Sequence, residues 1–209
     1  MLRFIHASDL PAYPALARSM FCDRADQFAH RLKWEVTVDA QGQVRDQYDA
    51  LNPLYVIWQR ADGLHGGSMR LLPTSGRTML AEHFAHLCPD GPINDPAIWE
   101  CTRFCLAPGA SPHVAAALML GGGEVLRGLN LRQYVGVFDA RMTRIYKFIG
   151  SSPTVIGAMG EGRDRISAGL WRLTETDRQR VAQRARLSPD IAELWFRRAG
   201  LSPAANLAA

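Results

Sequence analysis

The sequence is poor in cysteine and has no long uncharged apolar run. Its 209 residues include four cysteines, Cys22, Cys88, Cys101 and Cys105, whose spacing is not that of a metal-binding pair. Free thiols in a reducing cytosol are therefore expected. No apolar stretch approaches the about 20 residues that span a bilayer, and the first residues lack the pattern of a secretory signal. The sequence predicts a cytoplasmic protein without a membrane segment or a metal site.

The composition typical of disorder is also missing. Hydrophobic residues make up 47% of the chain and charged residues 21%, which is the balance of a folded globular protein. The twelve prolines and eighteen glycines are scattered, apart from Gly121-Gly122-Gly123, so no linker divides the chain. We expect one domain over residues 1–209.

The net charge of +4 is distributed unevenly. Residues 1–104 carry ten basic and twelve acidic side chains, whereas residues 105–209 carry fourteen and eight. A basic half indicates either an acidic partner or an ordinary solvated face, and composition does not choose between them. Nucleic acid is disfavoured, because the arginines are not interleaved with aromatic residues that could stack on bases.

Strand and helix patterns alternate without the steady rhythm of a doubly wound sheet. The predicted strands span residues 2–6, 54–59, 66–72, 98–107, 133–138, 154–157 and 163–172. The predicted helices span residues 10–21, 78–87, 112–129, 140–148, 175–185 and 189–199. A turn signal at Asp62-Gly63 joins two of the strands in a hairpin. The pattern predicts a mixed α/β sheet with flanking helices.

Six charged residues lie within or beside apolar sequence: Arg24, Asp46, Asp49, Arg70, Glu100 and Arg103. Strand alternation places Arg70 on the face opposite Met69 and Leu71. It also separates Glu100 from Arg103, unless a bulge re-aims one of them. Buried charges are costly unless they are paired, so each residue taken singly indicates a structural ion pair rather than catalysis.

Taken in order, these residues resemble the signature of the acyl-homoserine-lactone (autoinducer) synthases. The matching segments are residues 21–28, 31–34, 46–49, 70–74 with Met79, Leu80 and Phe84, and the Trp-Glu-Cys-Thr-Arg-Phe run at 99–104. Each segment is weak alone, but order and spacing agree over about 80 residues. The ordered set is specific to the family.

The resemblance implies a fold related to the N-acetyltransferases, in which the pantetheine arm of the donor enters between splayed strands. It also implies an enzyme of quorum sensing. Acyl carrier protein or acyl-CoA would donate an acyl group to the amine of S-adenosylmethionine, which is a substrate rather than a cofactor. Lactone closure would then release methylthioadenosine. An acyltransferase for another amine and a non-catalytic carrier-binding module are the alternatives.

The implied chemistry assigns roles to the charged residues. Glu100 is the candidate base, because the amine arrives protonated. Asp46 and Asp49 suit an ammonium and a sulfonium, whereas guanidinium groups suit a carboxylate or an oxyanion. Those groups belong to Arg24, Arg70 and Arg103. The sequence does not decide which arginine touches substrate.

Aromatic residues are expected to wall the substrate pocket, with simple core packing as the alternative. The expected wall residues are Phe28, Trp34, Phe84 and Phe104. Two positions bear on recognition. Val44 stands where the family usually has a glutamate, and it cannot bind a cation. The resemblance implies that a hydroxyl residue at the position of Gly136 favours 3-oxo chains, and because glycine has no side-chain donor we predict no strong preference for a 3-oxo group.

Basic residues recur at three-residue spacing on the predicted helix 140–148, namely Arg141, Arg144 and Lys147. The resemblance implies that they dock an acidic acyl carrier protein, and a solvated face is the alternative. Arg163 and Arg165 either line the same face or pair with nearby acids. His83 and His86 lack a third ligand, which makes them a weak metal signal.

Overall fold

Seven strands form one mixed sheet in the computed structural model, which describes residues 1–201. The strands are β1 Leu2–His6, β2 Leu54–Gln59, β3 His65–Pro73, β4 Ile98–Leu106, β5 Gln133–Asp139, β6 Thr154–Met159 and β7 Ile166–Trp171. Their order across the sheet is β1-β2-β3-β4-β5-β7-β6. Every neighbouring pair is antiparallel except β4 and β5, which are parallel.

Six α-helices flank the sheet within the described residues. They are α1 Pro14–Arg24, α2 Met79–His83, α3 Pro112–Gly128, α4 Ala140–Ile149, α5 Glu175–Ala185 and α6 Pro189–Arg198. None of these helices is both long and apolar enough to cross a membrane. The predicted mixed α/β architecture with flanking helices is confirmed.

The two faces of the sheet bury different residues, as strand alternation requires. Met69 and Leu71 of β3 belong to the main core beneath α3. Arg70 lies directly opposite Tyr55 of β2, and Tyr55 packs against α1 on the other face. Cross-strand partners share a face, so Arg70 points towards α1. The prediction that Arg70 lies opposite Met69 and Leu71 is confirmed.

Strands β4 and β5 separate after a short parallel pairing. Only three residues of each strand pair, ending at Glu100 and Val135. Beyond that point β4 pairs with β3 and β5 pairs with β7. The sheet therefore opens in a V between β4 and β5, where the resemblance places the donor arm.

Several predicted element ends shift for local reasons. The helix predicted at 10–21 is a 3₁₀ turn, Ala7–Ala12, followed by α1, which begins at Pro14 because proline suits the first helical turn. The helix predicted at 78–87 leaves α-helical geometry at Phe84, and a 3₁₀ turn follows it. The strand predicted at 163–172 starts at Ile166, since Gly162–Asp164 form a 3₁₀ turn. The polar segment after residue 39 contains another 3₁₀ helix, Gln47–Leu51.

Candidate active site

A network of ion pairs fills the α1 side of β3 and β4. Arg24 Nη1 donates to Asp49 Oδ1 over 3.0 Å, and Arg70 Nη1 donates to the same oxygen over 2.9 Å. Arg70 also bonds Asp46, and its Nε donates to Thr102 Oγ1 over 3.0 Å. Arg24 and Arg70 are both fully buried. The network supplies the pairing that such buried charges need.

The two aspartates are fixed by the backbone of their own loop. Asp46 precedes the 3₁₀ helix Gln47–Leu51 and caps it through a bond of 3.0 Å from the Tyr48 amide. Asp49 Oδ2 accepts the Asp46 amide over 2.9 Å, which completes a capping box. Tyr55 OH donates to Asp49 Oδ1 over 2.6 Å. The loop thus presents both carboxylates to the arginines in fixed positions.

The arginines dominate the electrostatics of these carboxylates. Burial alone would raise the pKa of Asp49, but the Arg24 and Arg70 cations outweigh it and hold that pKa well below its usual range. Burial also opposes ionisation of Asp46, and hydrogen bonding and attraction from Arg70, with attraction from Arg103, lower its pKa. Both carboxylates are therefore ionised and committed to guanidinium partners. In this structure they bind arginines, whereas the sequence suggested that they bind substrate cations.

A β-bulge brings Arg103 into the network. The pairing of β3 with β4 shifts register between Ser68 and Arg70, and Arg103 has a left-handed φ of 52°. Its Nε and Nη2 donate to Asp46 Oδ2 over 3.0 and 2.6 Å. Strict alternation would turn Arg103 away from Glu100 and Thr102. The bulge overrides alternation here.

Glu100 is buried and is held by backbone amides rather than by an arginine. It is 1% exposed, and its carboxylate accepts the backbone amides of Met79 and Leu80 over 3.1 and 2.6 Å at the start of α2. It does not pair with Arg103, which bonds Asp46 instead. Burial raises the pKa of Glu100, although the two amides, Leu80 first, act in the opposite direction. The raised pKa makes this carboxylate more basic than that of an exposed glutamate.

A cavity of about 220 Å³ starts at this network and continues into the opening between β4 and β5. Phe28 and Trp34 stack at its mouth, with ring centroids 5.1 Å apart and an angle of 18° between the rings. The Arg103 guanidinium lies 5.3 Å from the Phe28 ring centre. Deeper in, the walls are largely apolar and include Met69, Met119, Leu126, Tyr134, Phe138 and Trp171.

The structure brings some predicted residues to this cavity and not others. Phe28, Trp34, Arg103, Phe104 and Gly136 line it. Arg24, Asp46, Asp49, Arg70 and Glu100 lie behind the wall and are not among its lining residues. Phe84 packs instead against a separate apolar cluster around Leu80 and Leu87, so its predicted place in the pocket wall is wrong. Phe84 is the C-cap residue of the short α2.

Val44 is part of the fold rather than of the cavity wall. Its side chain is 1% exposed, its amide donates to the Phe21 carbonyl over 3.0 Å, and it forms an isolated bridge with Val38. A glutamate here would have to bury its charge or displace the loop. The apolar side chain therefore suits its surroundings.

The basic residues of α4 differ in their surroundings. Arg141 donates to Asp139, the N-cap of the helix, over 2.6 and 3.0 Å. Arg144 and Lys147 are exposed and form no ion pair within residues 1–201. The neighbouring Phe148 is also exposed. Arg163 and Arg165 are likewise exposed and unpaired in the described part of the chain.

Sequence reasoning missed several supporting residues. Thr102 and Tyr55 complete the arginine and aspartate network, and strand pairing with Arg70 is the signal that identifies both. His65 is fully buried and bonds Asp23 over 2.6 Å through Nδ1. Nothing in the sequence separates this histidine from an ordinary turn residue. In the described residues, no group of three or more histidine, cysteine, aspartate or glutamate side chains is placed to hold a metal.

The open sheet with a cavity in its V has the fold of the N-acetyltransferase-type acyltransferases. An acyl-CoA N-acyltransferase from Pseudomonas aeruginosa has this fold, with a TM-score of 0.55, 15% identity, and coverage of 82% of this chain and 99% of that chain. Residues 12–183 match the family model described as autoinducer synthase. The chain belongs to the autoinducer synthase family, and its enzyme class is that of the acyl-homoserine-lactone synthases.

A relative that is similar in sequence and a solved structure that is similar in fold support this assignment. An acyl-homoserine-lactone synthase from Rhizobium etli is 38% identical over 182 residues, which cover 83% of this chain and 85% of the relative. The structure of TofI, solved in a ternary complex with an inhibitor and MTA, has a TM-score of 0.73 and 25% identity. That match covers 91% of this chain and 99% of TofI.

Proposed function

We propose that this chain transfers an acyl group from a thioester to the amine of S-adenosylmethionine and then closes the lactone. The amine nitrogen attacks the thioester carbonyl carbon, forming the amide C–N bond and breaking the C–S bond, and the donor leaves as a thiol. The methionyl carboxylate oxygen then attacks the carbon attached to the sulfonium. This second step breaks that C–S bond and releases neutral methylthioadenosine together with the acyl-homoserine lactone.

The observation that carries the proposal is the position of the cavity. It joins an aromatic, guanidinium-bearing mouth at Phe28, Trp34 and Arg103 to an apolar interior between β4 and β5. A substrate that carries both a carboxylate and a sulfonium suits the mouth, since guanidinium groups bind carboxylates and aromatic faces attract cations. An acyl chain suits the apolar interior. The binding of MTA by TofI supports an adenosyl-sulfur substrate here as well.

The geometry divides the charged residues into two groups. Arg103 is the one arginine of the three that lines the cavity, and so we assign it the carboxylate or the oxyanion of the substrate. Arg24 and Arg70 are buried behind it and hold Asp46 and Asp49. Asp46 in turn holds Arg103. We assign these four residues to positioning Arg103 rather than to contact with substrate.

Glu100 is the proposed base, acting through water. Its carboxylate accepts the amide of Met79, which lines the cavity, although Glu100 itself does not. A carboxylate with a raised pKa takes a proton more readily at neutral pH than an exposed one. The released proton would pass from the ammonium group to Glu100 and then to solvent or the thiolate.

One experiment tests the whole reaction. The purified protein is incubated with S-adenosylmethionine and a pool of acyl-CoA and acyl carrier protein thioesters, and the products are identified by mass spectrometry. Lactone and methylthioadenosine in equal amounts are expected. An acylated amine without methylthioadenosine would indicate an acyltransferase for another amine. An absence of turnover with every donor would indicate a carrier-binding module.

A further inference from the structure

Three consecutive glycines, Gly121, Gly122 and Gly123, lie in the interior of α3, which runs from Pro112 to Gly128. Glycine weakens a helix relative to alanine, because the unfolded chain loses more conformational freedom when it folds. All three glycines are buried. A helix that keeps glycine at three buried interior positions needs a steric reason at each of them.

Two of these glycines face side chains of the acyl cavity. A Cβ atom on Gly122 would lie 2.6 Å from Met69 Cε, and one on Gly123 would lie 1.9 Å from Leu173 Cδ2. Both distances are far shorter than a van der Waals contact. Both glycines, together with Met69 and Leu173, line the cavity. Because Gly122 and Gly123 have no Cβ atom, the side chains of Met69 and Leu173 can pack directly against α3.

The third glycine has a different neighbourhood. A Cβ atom on Gly121 would lie 2.8 Å from Val56 Cγ1 and 3.2 Å from Leu2 Cδ2. Gly121, Val56 and Leu2 belong to the core between α3 and the edge of the sheet, and none of them lines the cavity. Gly121 is thus a natural comparison, because it is also crowded but does not line the cavity.

The cavity also carries an independent sign of a ligand. Trp171 lines the same cavity, is 6% exposed, and has no hydrogen-bond partner for its Nε1. A buried indole N–H normally finds an acceptor. An acyl thioester brings carbonyl oxygen into this cavity, whereas the surrounding side chains are largely apolar.

We infer that Gly122 and Gly123 set the longest acyl chain that this enzyme accepts. The inference rests on the proposed function, since it takes the cavity to be the acyl site. A methyl group at either position pushes Met69 or Leu173 into the cavity and shortens the space for the chain. Long acyl donors then lose affinity, and short donors do not.

The test is a comparison of Gly122→Ala, Gly123→Ala and Gly121→Ala, each assayed with hexanoyl, octanoyl, decanoyl, dodecanoyl and tetradecanoyl donors. The measured quantity is the ratio of kcat/KM for the longest donor that the unmodified enzyme uses well to that for hexanoyl. We expect this ratio to fall at least about tenfold in the first two variants. We expect Gly121→Ala to leave it unchanged, even if the protein melts at a lower temperature.

A double variant protects the test against simple misfolding. Adding Leu173→Ala to Gly123→Ala removes the side chain that the new methyl group displaces, and it should restore use of the long donors. An unchanged ratio in both cavity variants would overturn the inference, as would an equal shift in Gly121→Ala. Failure of the unmodified enzyme to make lactone from any donor would overturn the proposed function, and the inference with it.

Discussion

Arg103 Nη2 donates to Asp46 Oδ2 over 2.6 Å from a backbone position whose φ is 52°. A residue with a Cβ atom rarely adopts this left-handed conformation. The surrounding structure enforces it, because β4 must carry an extra residue to turn the Arg103 side chain towards Asp46 and the cavity mouth. Strained positions of this kind concentrate at functional sites.

The strain at Arg103 predicts a separation of stability from activity. Arg103→Ala and Arg103→Gly both remove the guanidinium group, so lactone formation should fall about a hundredfold or more in each. Glycine adopts the left-handed conformation without a Cβ clash, and Arg103→Gly should be the more stable variant by about 1 kcal/mol. Urea unfolding and steady-state assays measure the two effects. Equal stability of the variants would show that the backbone carries no strain.

Glu100→Gln should lower kcat/KM for S-adenosylmethionine about a hundredfold, which is the usual contribution of a general base. The base must be ionised to accept a proton, and burial raises the pKa of Glu100. Activity of the unmodified enzyme should therefore increase with pH through a pKa above the ordinary glutamate value. This dependence should vanish in Glu100→Gln.

The control for Glu100 concerns folding. Glutamine keeps one oxygen acceptor, but its NH2 group faces the other of the two amides, so we expect a stability loss of about 1–3 kcal/mol. Circular dichroism and urea unfolding check this. A variant that is stable and retains nearly full activity would exclude Glu100 as the base.

Local patterns determined much of the fold and the composition of the site. Strands 2–6 and 54–59 and helix 175–185 have the predicted bounds, because alternation and caps lie within the elements themselves. The bulge at Arg103 has no such local signal, since the left-handed residue is an arginine rather than a glycine. The amide partners of Glu100 lie on α2, about twenty residues earlier in the chain. The bulge at Arg103 and the amide partners of Glu100 are both determined by contacts between residues that are distant in the sequence.

Substitutions of Val44 test whether the valine, which stands where the family usually has a glutamate, weakens the binding of S-adenosylmethionine. Because Val44 is 1% exposed, Val44→Glu should destabilise the protein by about 3 kcal/mol or more, whereas Val44→Gln should cost less. Neither variant should lower KM for S-adenosylmethionine. A folded Val44→Glu variant with a clearly lower KM for S-adenosylmethionine would show that Val44 weakens recognition of this substrate in the unmodified enzyme.

The absence of a side chain at Gly136 predicts how the enzyme responds to 3-oxo acyl donors. A Cβ atom there would lie 2.9 Å from the Cys101 carbonyl oxygen and 3.3 Å from Trp171 Cζ3, so no hydroxyl side chain fits. Octanoyl and 3-oxo-octanoyl donors should have similar kcat/KM values in direct competition. A preference for the 3-oxo donor above about tenfold, which corresponds to ~1.4 kcal/mol, would contradict the prediction.

The basic residues of α4 predict how the enzyme meets its acyl donor. Arg144 and Lys147 are exposed and without ion pairs in the described chain, whereas Arg141 is engaged by Asp139. If acyl carrier protein docks here, neutralising Arg144 and Lys147 together should raise KM for the carrier several-fold, and Arg141→Ala alone should do less. The effect should lie mainly in the association rate and diminish at high salt.

The matched control for α4 is a small donor without acidic groups. Turnover of acyl-pantetheine should be unchanged in every α4 variant, because this donor offers no charge for Arg144 or Lys147 to attract. Stopped-flow association and steady-state kinetics with both donors separate docking from chemistry. If Arg141, Arg144 and Lys147 are all neutralised and the apparent affinity for the carrier does not change, then α4 is an ordinary solvated face. The donor must in that case bind elsewhere along the opening between β4 and β5.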